Sequence, residues 1–389
     1  MKAKSVVSIS AALLVALAAC TPGTPTPATS APATNTPAAA ATTAVPPTNT
    51  PAPPTNTVAA ATDTVAAPTG TTAAATETPT VEPTMMAPPD YLDDRSSAAL
   101  VLASYFNAIN RHEYARAYGY WDDPAAAGAF ADFMAGYADT ASVTFETGPQ
   151  GGEGAAGTLY YTVAAAVHAT QTDGTPQTFV GCYTLKQVQP ANQATPPFRP
   201  MGLFTATVET AAADADIAAL LAAACPAPAV EVTPGPTAEP SDISNAQFID
   251  NRSTPADLLR SMFNAINRHE YLRAYSYWKD GSSVGTFDDF EAGYADTAEI
   301  TEVVVGDAPP DPGAGQINYL APVTVRATTT GGEQQTFVGC YNLHISNPGI
   351  QTDPPFVPLG IRAGTLEQVA NDADTTALMA TACATPPTP

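Results

Sequence analysis

The sequence Asn-Ala-Ile-Asn-Arg-His-Glu-Tyr at residues 107–114 recurs unchanged at residues 264–271, and this doubled stretch decides how the chain is organised. After one variable residue, each copy continues through Arg-Ala-Tyr, a second variable residue and Tyr-Trp, ending at Trp121 and Trp278. The two copies are offset by 157 residues, and similarity extends through most of the chain after residue 89. Internal similarity over such a length indicates a tandem duplication.

The duplication predicts the domain boundaries. We expect repeat one at residues 89–227 and repeat two at residues 242–385, with a Pro/Thr/Glu-rich linker at 228–241 and a short tail at 386–389. Before the repeats, residues 20–88 consist mostly of Thr, Pro and Ala and have few large side chains to bury. Such a segment cannot offset the entropy lost on ordering, so it is predicted to be a disordered, extended tether.

The amino terminus resembles a bacterial export signal. Lys2 and Lys4 precede an apolar run that is too short to span a membrane as a helix. The run ends in Leu-Ala-Ala-Cys at residues 17–20, which resembles the lipobox of bacterial lipoproteins. This resemblance implies that residues 1–19 are a signal peptide and that Cys20 is lipidated. It predicts a membrane-anchored, extracytoplasmic protein at the cell surface or facing the periplasm. The alternative is an ordinary secretory signal in which Cys20 is simply a small residue.

The remaining four cysteines fall two per repeat, and the partners are 43 positions apart in each copy. In an exported protein this pattern predicts one disulfide bond per repeat, Cys182–Cys225 and Cys340–Cys383. Metal binding is the weaker alternative because neither a CxxC motif nor clustered histidines accompany these cysteines.

The formal net charge of −23 bears on possible partners. A strongly acidic surface repels nucleic acid and anionic lipid headgroups, so neither is expected as a partner. Membrane association is instead expected through the lipid anchor. The sequence contains no motif that predicts a cofactor or a metal.

Each repeat begins with apolar residues at helical spacing, including Leu100 and Phe106, and changes to a period of two after Thr140. Thr-Asp-Gly-Thr at 172–175 predicts a hairpin turn between two strands. The pattern therefore predicts an α+β fold in each repeat: opening helices, an antiparallel sheet and a terminal Ala-rich helix that ends at the second cysteine.

This order of elements resembles the NTF2-like (SnoaL-like, cystatin-like) cone fold. The resemblance is carried by residues 105–114 and 133–140 in repeat one, and by residues 262–271 and 293–297 in repeat two. It implies helices packed on a curved antiparallel sheet, with a pocket inside the cone and pairing of copies through the open sheet face. The terminal helix and disulfide depart from the family pattern. Family members include binding modules, scaffold domains, cyclases and isomerases, so the fold alone does not decide activity.

Several residues are candidates for the pocket: Tyr105, Tyr118, Trp121, Asp139, Tyr275, Trp278 and Asp296. The aromatic residues could line a pocket, but their helical spacing favours a packed core. His112 and His269 lie between Arg and Glu and suggest a base with an orienting carboxylate. Adjacent residues on a helix do not face one another, however, and this position also suits the turn between two helices.

These observations favour a non-enzymatic lipoprotein that displays two binding or scaffold modules, whose ligand or protein partner the sequence does not identify. The two repeats are expected to be able to pair within one chain, since a short linker gives a high effective concentration. The alternatives are a SnoaL-like cyclase or isomerase, with the Asp pair or the His pair as base, and a solute-capture lipoprotein.

Overall fold

The structure, a computed structural model, describes residues 90–226, 230–231, 243–279 and 284–388. The expected signal peptide, Cys20, the tether and most of the linker lie outside the described residues. The described part is α+β, with two antiparallel sheets and several helices. It belongs to a single compact unit within residues 81–389. Within the described ranges, none of the helices has the length and apolar character needed to cross a membrane.

The described residues of repeat one form four α-helices and four main strands, besides two short 3-10 helices at Pro124–Ala127 and Pro190–Asn192. The α-helices and main strands are α1 (Ala98–Asn110), α2 (Tyr114–Tyr118), α3 (Phe130–Gly136), β1 (Thr140–Ala155), β2 (Thr158–Gln171), β3 (Pro176–Val188), β4 (Gly202–Thr210) and α4 (Ile217–Ala224). The strands are antiparallel in the order β4-β3-β2-β1. In the expected linker, β5 (Val230–Glu231) pairs with Gly151 and Gly152 at the β1 edge, so part of this segment extends the sheet.

Repeat two follows the same order. Its elements are α5 (Pro255–Asn267), α6 (Tyr271–Tyr275), α7 (Phe287–Gly293), β6 (Thr297–Val305), β7 (Asp311–Gly313), β8 (Gln316–Thr329), β9 (Gln334–Ser346), β10 (Gly360–Val369) and α8 (Thr375–Ala382). The sheet order is β10-β9-β8-β6, and β7 also pairs with β8. The long strand β1 thus corresponds to two shorter strands, β6 and β7, in repeat two.

The opening helices begin at hydroxyl caps and bury one face. The Ser97 side chain accepts a hydrogen bond from the Leu100 N–H at 3.3 Å, and the Thr254 side chain accepts one from the Asp257 N–H at 3.1 Å. The buried face of α1 includes Val101, Leu102, Tyr105, Phe106, Ala108 and Ile109. Leu100, which the periodicity assigned to this face, is 36% exposed. The prediction for Leu100 was wrong because residue 100 lies on the solvent side of the helix.

The central strand of each sheet is buried on both faces. In β2, Val163, Ala165 and Val167 pack against α1 and its neighbours, whereas Ala164 and Ala166 pack against Leu221 of α4 on the opposite face. The predicted disulfides Cys182–Cys225 and Cys340–Cys383 are both present, and they join the end of each terminal helix to the third main strand of its sheet. Each sheet therefore has helices on both faces.

The glycine in Phe-Val-Gly-Cys-Tyr, the first copy of which spans residues 179–183, has a packing role. A Cβ at Gly181 would clash with the Thr207 carbonyl oxygen, and one at Gly339 would clash with the Thr365 carbonyl oxygen. These strands approach too closely for any side chain at this position. This steric requirement accounts for glycine in both copies.

The two repeats contact each other through the segments that precede α1 and α5. Arg95 N–H donates to the Asp250 carbonyl at 2.6 Å, and Arg252 N–H donates to the Asp93 carbonyl at 2.7 Å. Side chains repeat this exchange: Asp93 N–H donates to Ser253 Oγ, and Asp250 N–H donates to Ser96 Oγ, each at 2.9 Å. The reciprocal pattern is that of a two-fold interface. These hydrogen bonds involve the leading segments rather than the open sheet faces expected from the resemblance.

Candidate functional site

Each repeat has a pocket between its third helix and the inner face of its sheet. The repeat-one pocket has a volume of about 520 Å³ and the repeat-two pocket about 500 Å³. The apolar lining of the repeat-one pocket includes Phe106, Phe133, Tyr137, Val143, Val167, Ala169, Phe179, Tyr183 and Val208. The repeat-two pocket uses the corresponding positions Phe263, Phe290, Tyr294, Ile300, Val325, Ala327, Phe337 and Leu366. The two cavities are therefore duplicates in position and closely similar in chemistry.

Polar side chains occur at the same places around both pockets. In repeat one they are Asp132, Asp139, Thr140, Gln171 and Gln177. In repeat two they are Asp289, Asp296, Thr297, Thr329 and Gln335. The carboxylates of Asp139 and Asp296 belong to exposed residues, and Thr330 Oγ1 donates a hydrogen bond to Asp296 Oδ1. Both aspartates thus stand at the solvent-facing side of a predominantly apolar cavity.

Of the pocket residues expected from the sequence, Asp139 and Asp296 line the two pockets, and the aromatic residues lie elsewhere. Tyr118 is in the core, edge-on to the rings of Phe130 and Phe133. Tyr105 is also buried, and its hydroxyl is 2.6 Å from the hydroxyl of Tyr137. Burial, followed by the neighbouring Tyr137 hydroxyl, raises the pKa of Tyr105 well above its usual range.

The two tryptophans follow the second helices and form backbone bridges with the last main strand of each sheet, at Leu203 and Ile361. Trp121 packs against the repeat-one core, and the ring of Trp278 is 6.1 Å from that of Tyr341. Trp278 and Tyr275 also line a third cavity of about 480 Å³, which we call the inter-repeat cleft because both repeats contribute to its walls. The aromatic residues with helical spacing thus belong to the core in both repeats, and in repeat two some of them also form one wall of this cleft.

His112 and His269 form the turns between the opening helices, as their position predicts. They adopt φ values of 55° and 56°, in the left-handed region that ends helices. The Nδ1 atom of each ring is 3.0 Å from the hydroxyl of the tyrosine two residues later. Neither histidine lines the repeat-one or repeat-two pocket. These contacts give both residues a local structural role.

The doubled stretch also contains a buried ion pair. Arg116 Nε donates to Glu113 Oε2 at 2.6 Å, and Arg273 Nε donates to Glu270 Oε2 at 2.7 Å. Each arginine also donates to the side-chain oxygen of an asparagine in the preceding helix, Asn107 or Asn264.

The same guanidinium groups hold the leading segments. Arg116 Nη1 donates to the Leu92 carbonyl at 2.5 Å, and Arg273 Nη1 donates to the Ile249 carbonyl. A second asparagine, Asn110, exchanges two hydrogen bonds with the backbone of Val143 at 2.7 and 2.8 Å, which fixes α1 against β1. Asn267 makes the same pair of bonds with Ile300. The repeated motif therefore encodes the frame that holds the helices, the sheet and the inter-repeat segments.

The pocket residues that the sequence analysis missed include the glutamines and phenylalanines of the third main strands. Gln177 and Phe179 line the repeat-one pocket, and Gln335 and Phe337 line the repeat-two pocket. The signal was present, because Gln-Thr-Phe-Val-Gly-Cys-Tyr occurs in both copies. Alternation along the strand places Gln and Phe on the same face.

The described ranges contain no group of three or more His, Cys, Asp or Glu side chains arranged to hold a metal ion. Comparison with known proteins gave two results. No family model matches the chain, and no curated protein matches it.

Proposed function

We propose that this protein is an extracytoplasmic, lipid-anchored binding protein in which two NTF2-like modules each take a small, predominantly apolar ligand. The observation that carries the proposal is the pair of equivalent pockets, with similar volumes and corresponding linings. A concave apolar cavity with a few polar groups is the usual form of a small-molecule site.

The arrangement of each repeat supports the NTF2-like assignment. Three helices precede an antiparallel sheet, and the pocket lies between the helices and the inner sheet face. The register shifts in β1, between Thr140 and Ser142 and between Thr147 and Gln150, are irregularities of the kind that bend a sheet. Bending of this kind would produce the cone. The contact between the leading segments supports pairing of the modules within one chain.

Two disulfide bonds are consistent with an oxidising, extracytoplasmic location. Lipid attachment at Cys20 is the further step that would place the protein on a membrane. It is tested by growing cells with labelled palmitate and isolating the protein. Label should enter the wild-type chain and be absent from Cys20→Ala. Equal labelling of both proteins, or of neither, contradicts lipid anchoring.

Ligand binding is tested with the neutral fluorophore N-phenyl-1-naphthylamine and by native mass spectrometry of the protein isolated from its own cells. We expect saturable probe fluorescence and a bound mass that the probe displaces. A chain that carries no bound mass and shows no saturable fluorescence contradicts the binding function.

The alternative function is that of a SnoaL-like cyclase or isomerase. Asp139 and Asp296 line the pockets and would be the bases. We favour binding because both aspartates are exposed, whereas a base that acts on a pocket-bound carbon acid is expected to be shielded from water. If the wild-type protein shows cyclase or isomerase activity, the double variant Asp139→Asn/Asp296→Asn tests the role of the aspartates. Loss of that activity with unchanged probe affinity would support the enzyme instead.

A further inference from the structure

The inter-repeat cleft differs from the two pockets in being asymmetric. Its walls include the proline-rich loops at residues 196–200 and 356–358, with Trp278 and Phe356 among the apolar surfaces. It is separate from the proposed ligand pockets, so an inference about the cleft is independent of what those pockets bind.

In repeat one, the residue that follows the repeated tryptophan is an acid, Asp122. Asp122 accepts hydrogen bonds from Lys186 Nζ at 2.8 Å and from Arg199 Nη2 at 3.1 Å. Its side chain is 7% exposed and that of Lys186 is 19% exposed. Both cations are therefore paired with one carboxylate that belongs to the repeat itself.

In repeat two, the same position is occupied by a base. Asp122 N–H donates to the Leu203 carbonyl and Lys279 N–H donates to the Ile361 carbonyl, each at 2.8 Å, so the two residues are structurally equivalent. Lys279 lines the cleft, and its ammonium donates to the carbonyls of His344 and Pro358 at 3.3 and 3.4 Å. The exchange of Asp for Lys therefore inverts the charge at this position, and Lys186 is replaced by His344.

Further positive charge lies around Lys279. Arg252 lines the same cleft and stacks 4.5 Å over the ring of Tyr277, and Arg362 is exposed on β10. Burial, then the charges of Arg362 and Arg252, lower the pKa of Lys279 to about 8. Burial and the charges of Lys279 and Arg362 also lower the pKa of His344 to about 4. These groups repel one another in a protein whose net charge is −23.

Two carboxylates, Asp93 and Asp250, also line the cleft, and each is buried and hydrogen-bonded to a tyrosine of the cleft wall. Asp250 is 2% exposed and accepts a hydrogen bond from Tyr277 at 2.9 Å, and Asp93 is 5% exposed and accepts one from Tyr120 at 2.7 Å. Among the described residues, the ion pairs within 4.0 Å include neither Lys279 nor Arg362. Asp280 lies outside the described residues and is addressed by the experiment below.

We propose that the inter-repeat cleft binds a small organic oxyanion, a carboxylate or a phosphate monoester, through Lys279 and Arg252 of repeat two. The ammonium and guanidinium groups supply charge-assisted hydrogen bonds to the oxyanion. Trp278, Phe356 and the prolines contact the apolar body of the ligand. The bound oxyanion supplies a counter-charge for Lys279 and Arg252.

Lysine occurs only at positions 2, 4, 186 and 279, so each of the two lysines in the repeats can be observed separately. Reductive ¹³C-dimethylation of the full chain gives separate NMR signals for Lys186 and Lys279, identified with Lys186→Gln and Lys279→Gln. The probes are benzoate, phenyl phosphate and inorganic phosphate, with benzyl alcohol as the neutral control and sodium chloride to match ionic strength. Benzoate and phenyl phosphate compare a carboxylate with a phosphate monoester. Inorganic phosphate and benzyl alcohol test the charged group and the aromatic body separately.

We expect benzoate or phenyl phosphate to shift the Lys279 signal saturably and to raise its pKa by about one unit, while the Lys186 signal stays in place. Lys279→Gln should weaken binding about tenfold or more, and Lys186→Gln should leave it unchanged. Equal movement of both lysine signals, saturable shifts with benzyl alcohol, or no shift with any oxyanion overturns the proposal.

Asp280→Asn tests whether the chain already supplies a counter-ion. If the cleft relies on an external oxyanion, the pKa of Lys279 without ligand is unchanged in this variant. A lowered pKa in Asp280→Asn identifies a resident carboxylate partner and also overturns the proposal.

Discussion

Replacing Asp94 by Asn should stabilise the protein at neutral pH, because Asp94 is a buried carboxyl at the contact between the repeats. The residue is 9% exposed and forms a backbone bridge with Asn251, its counterpart in repeat two. Burial raises the pKa of Asp94 from 3.8 to about 6, hydrogen bonds from Ser96 oppose this rise, and the charges of Asp250 and Asp93 add to it.

The sign and size of the effect follow from linkage. A raised folded-state pKa means that the folded protein binds the proton more tightly than the unfolded chain does. The free energy of unfolding therefore falls as the pH rises from about 4 to about 6. A shift of about two units corresponds to up to about 3 kcal/mol. Asn carries no charge at either pH, so Asp94→Asn should remove this pH-dependent loss of stability. The variant should therefore have a higher free energy of unfolding than wild type at pH 7 and no such advantage at pH 3.

Repeat two already has Asn at the position equivalent to Asp94, at Asn251. Ser96 N–H donates to Asp94 Oδ1 at 2.8 Å, and Ser253 N–H donates to Asn251 Oδ1 at 2.9 Å, so an amide oxygen accepts the same bond. The assay is urea unfolding of the full chain, followed by circular dichroism at pH 3 and pH 7. Asn251→Asp is the matched control and should destabilise the protein at pH 7 only. An Asp94→Asn protein that is no more stable than wild type at pH 7 refutes this reasoning.

Three further predictions concern the frame of the repeats. Glu113→Gln leaves the buried Arg116 guanidinium without its carboxylate and should cost about 3–5 kcal/mol in urea unfolding; a cost below about 1 kcal/mol would show that the ion pair is not needed. His112→Gly should change the unfolding free energy by less than about 1 kcal/mol, because relief of the positive φ offsets the flexibility of glycine, and probe binding should not change. Loss of probe binding in this variant would assign His112 to the site. Replacing Cys340 and Cys383 together by Ser should lower the free energy of unfolding by about 3–4 kcal/mol in the chain-entropy account, and an unchanged urea midpoint would contradict it.

The sequence predicted those parts of the fold whose signals are local or duplicated. The opening helices have hydroxyl caps and apolar spacing, and the turn at His112 and His269 lies between two helical patterns. The disulfide pairing followed from the equal spacing of cysteines in the two copies. In each case a short segment carries enough information to define its own structure.

The long β1 strand could not be predicted in this way. Its second half contains Gly148, Pro149 and three further glycines up to residue 154, a composition that disfavours strands. These residues are extended because they pair with β2, and the register shift between Thr147 and Gln150 accommodates the proline. Tertiary pairing overrides local preference here.

The pockets and the buried ion pairs escaped prediction for a related reason. Arg116 contacts Leu92 and Glu113, and Gln177 and Asp139 both line the repeat-one pocket, so each set assembles only in the folded chain. Identical residues in both copies marked these positions without indicating whether they bind, catalyse or pack. Burial separates these roles: the charged residues of the motif are largely enclosed, whereas the pocket aspartates face solvent.

The most direct measurement of the central claim is the number of N-phenyl-1-naphthylamine molecules bound per chain when one pocket is filled at a time. Ala169 lines the repeat-one pocket and Ala327 occupies the same place in repeat two, so Ala169→Trp and Ala327→Trp are matched variants. Circular dichroism checks that each variant folds. Two equivalent pockets predict two probe molecules for the wild type, one for each single variant and none for the double variant. A folded double variant that binds as much probe as the wild type would contradict the account.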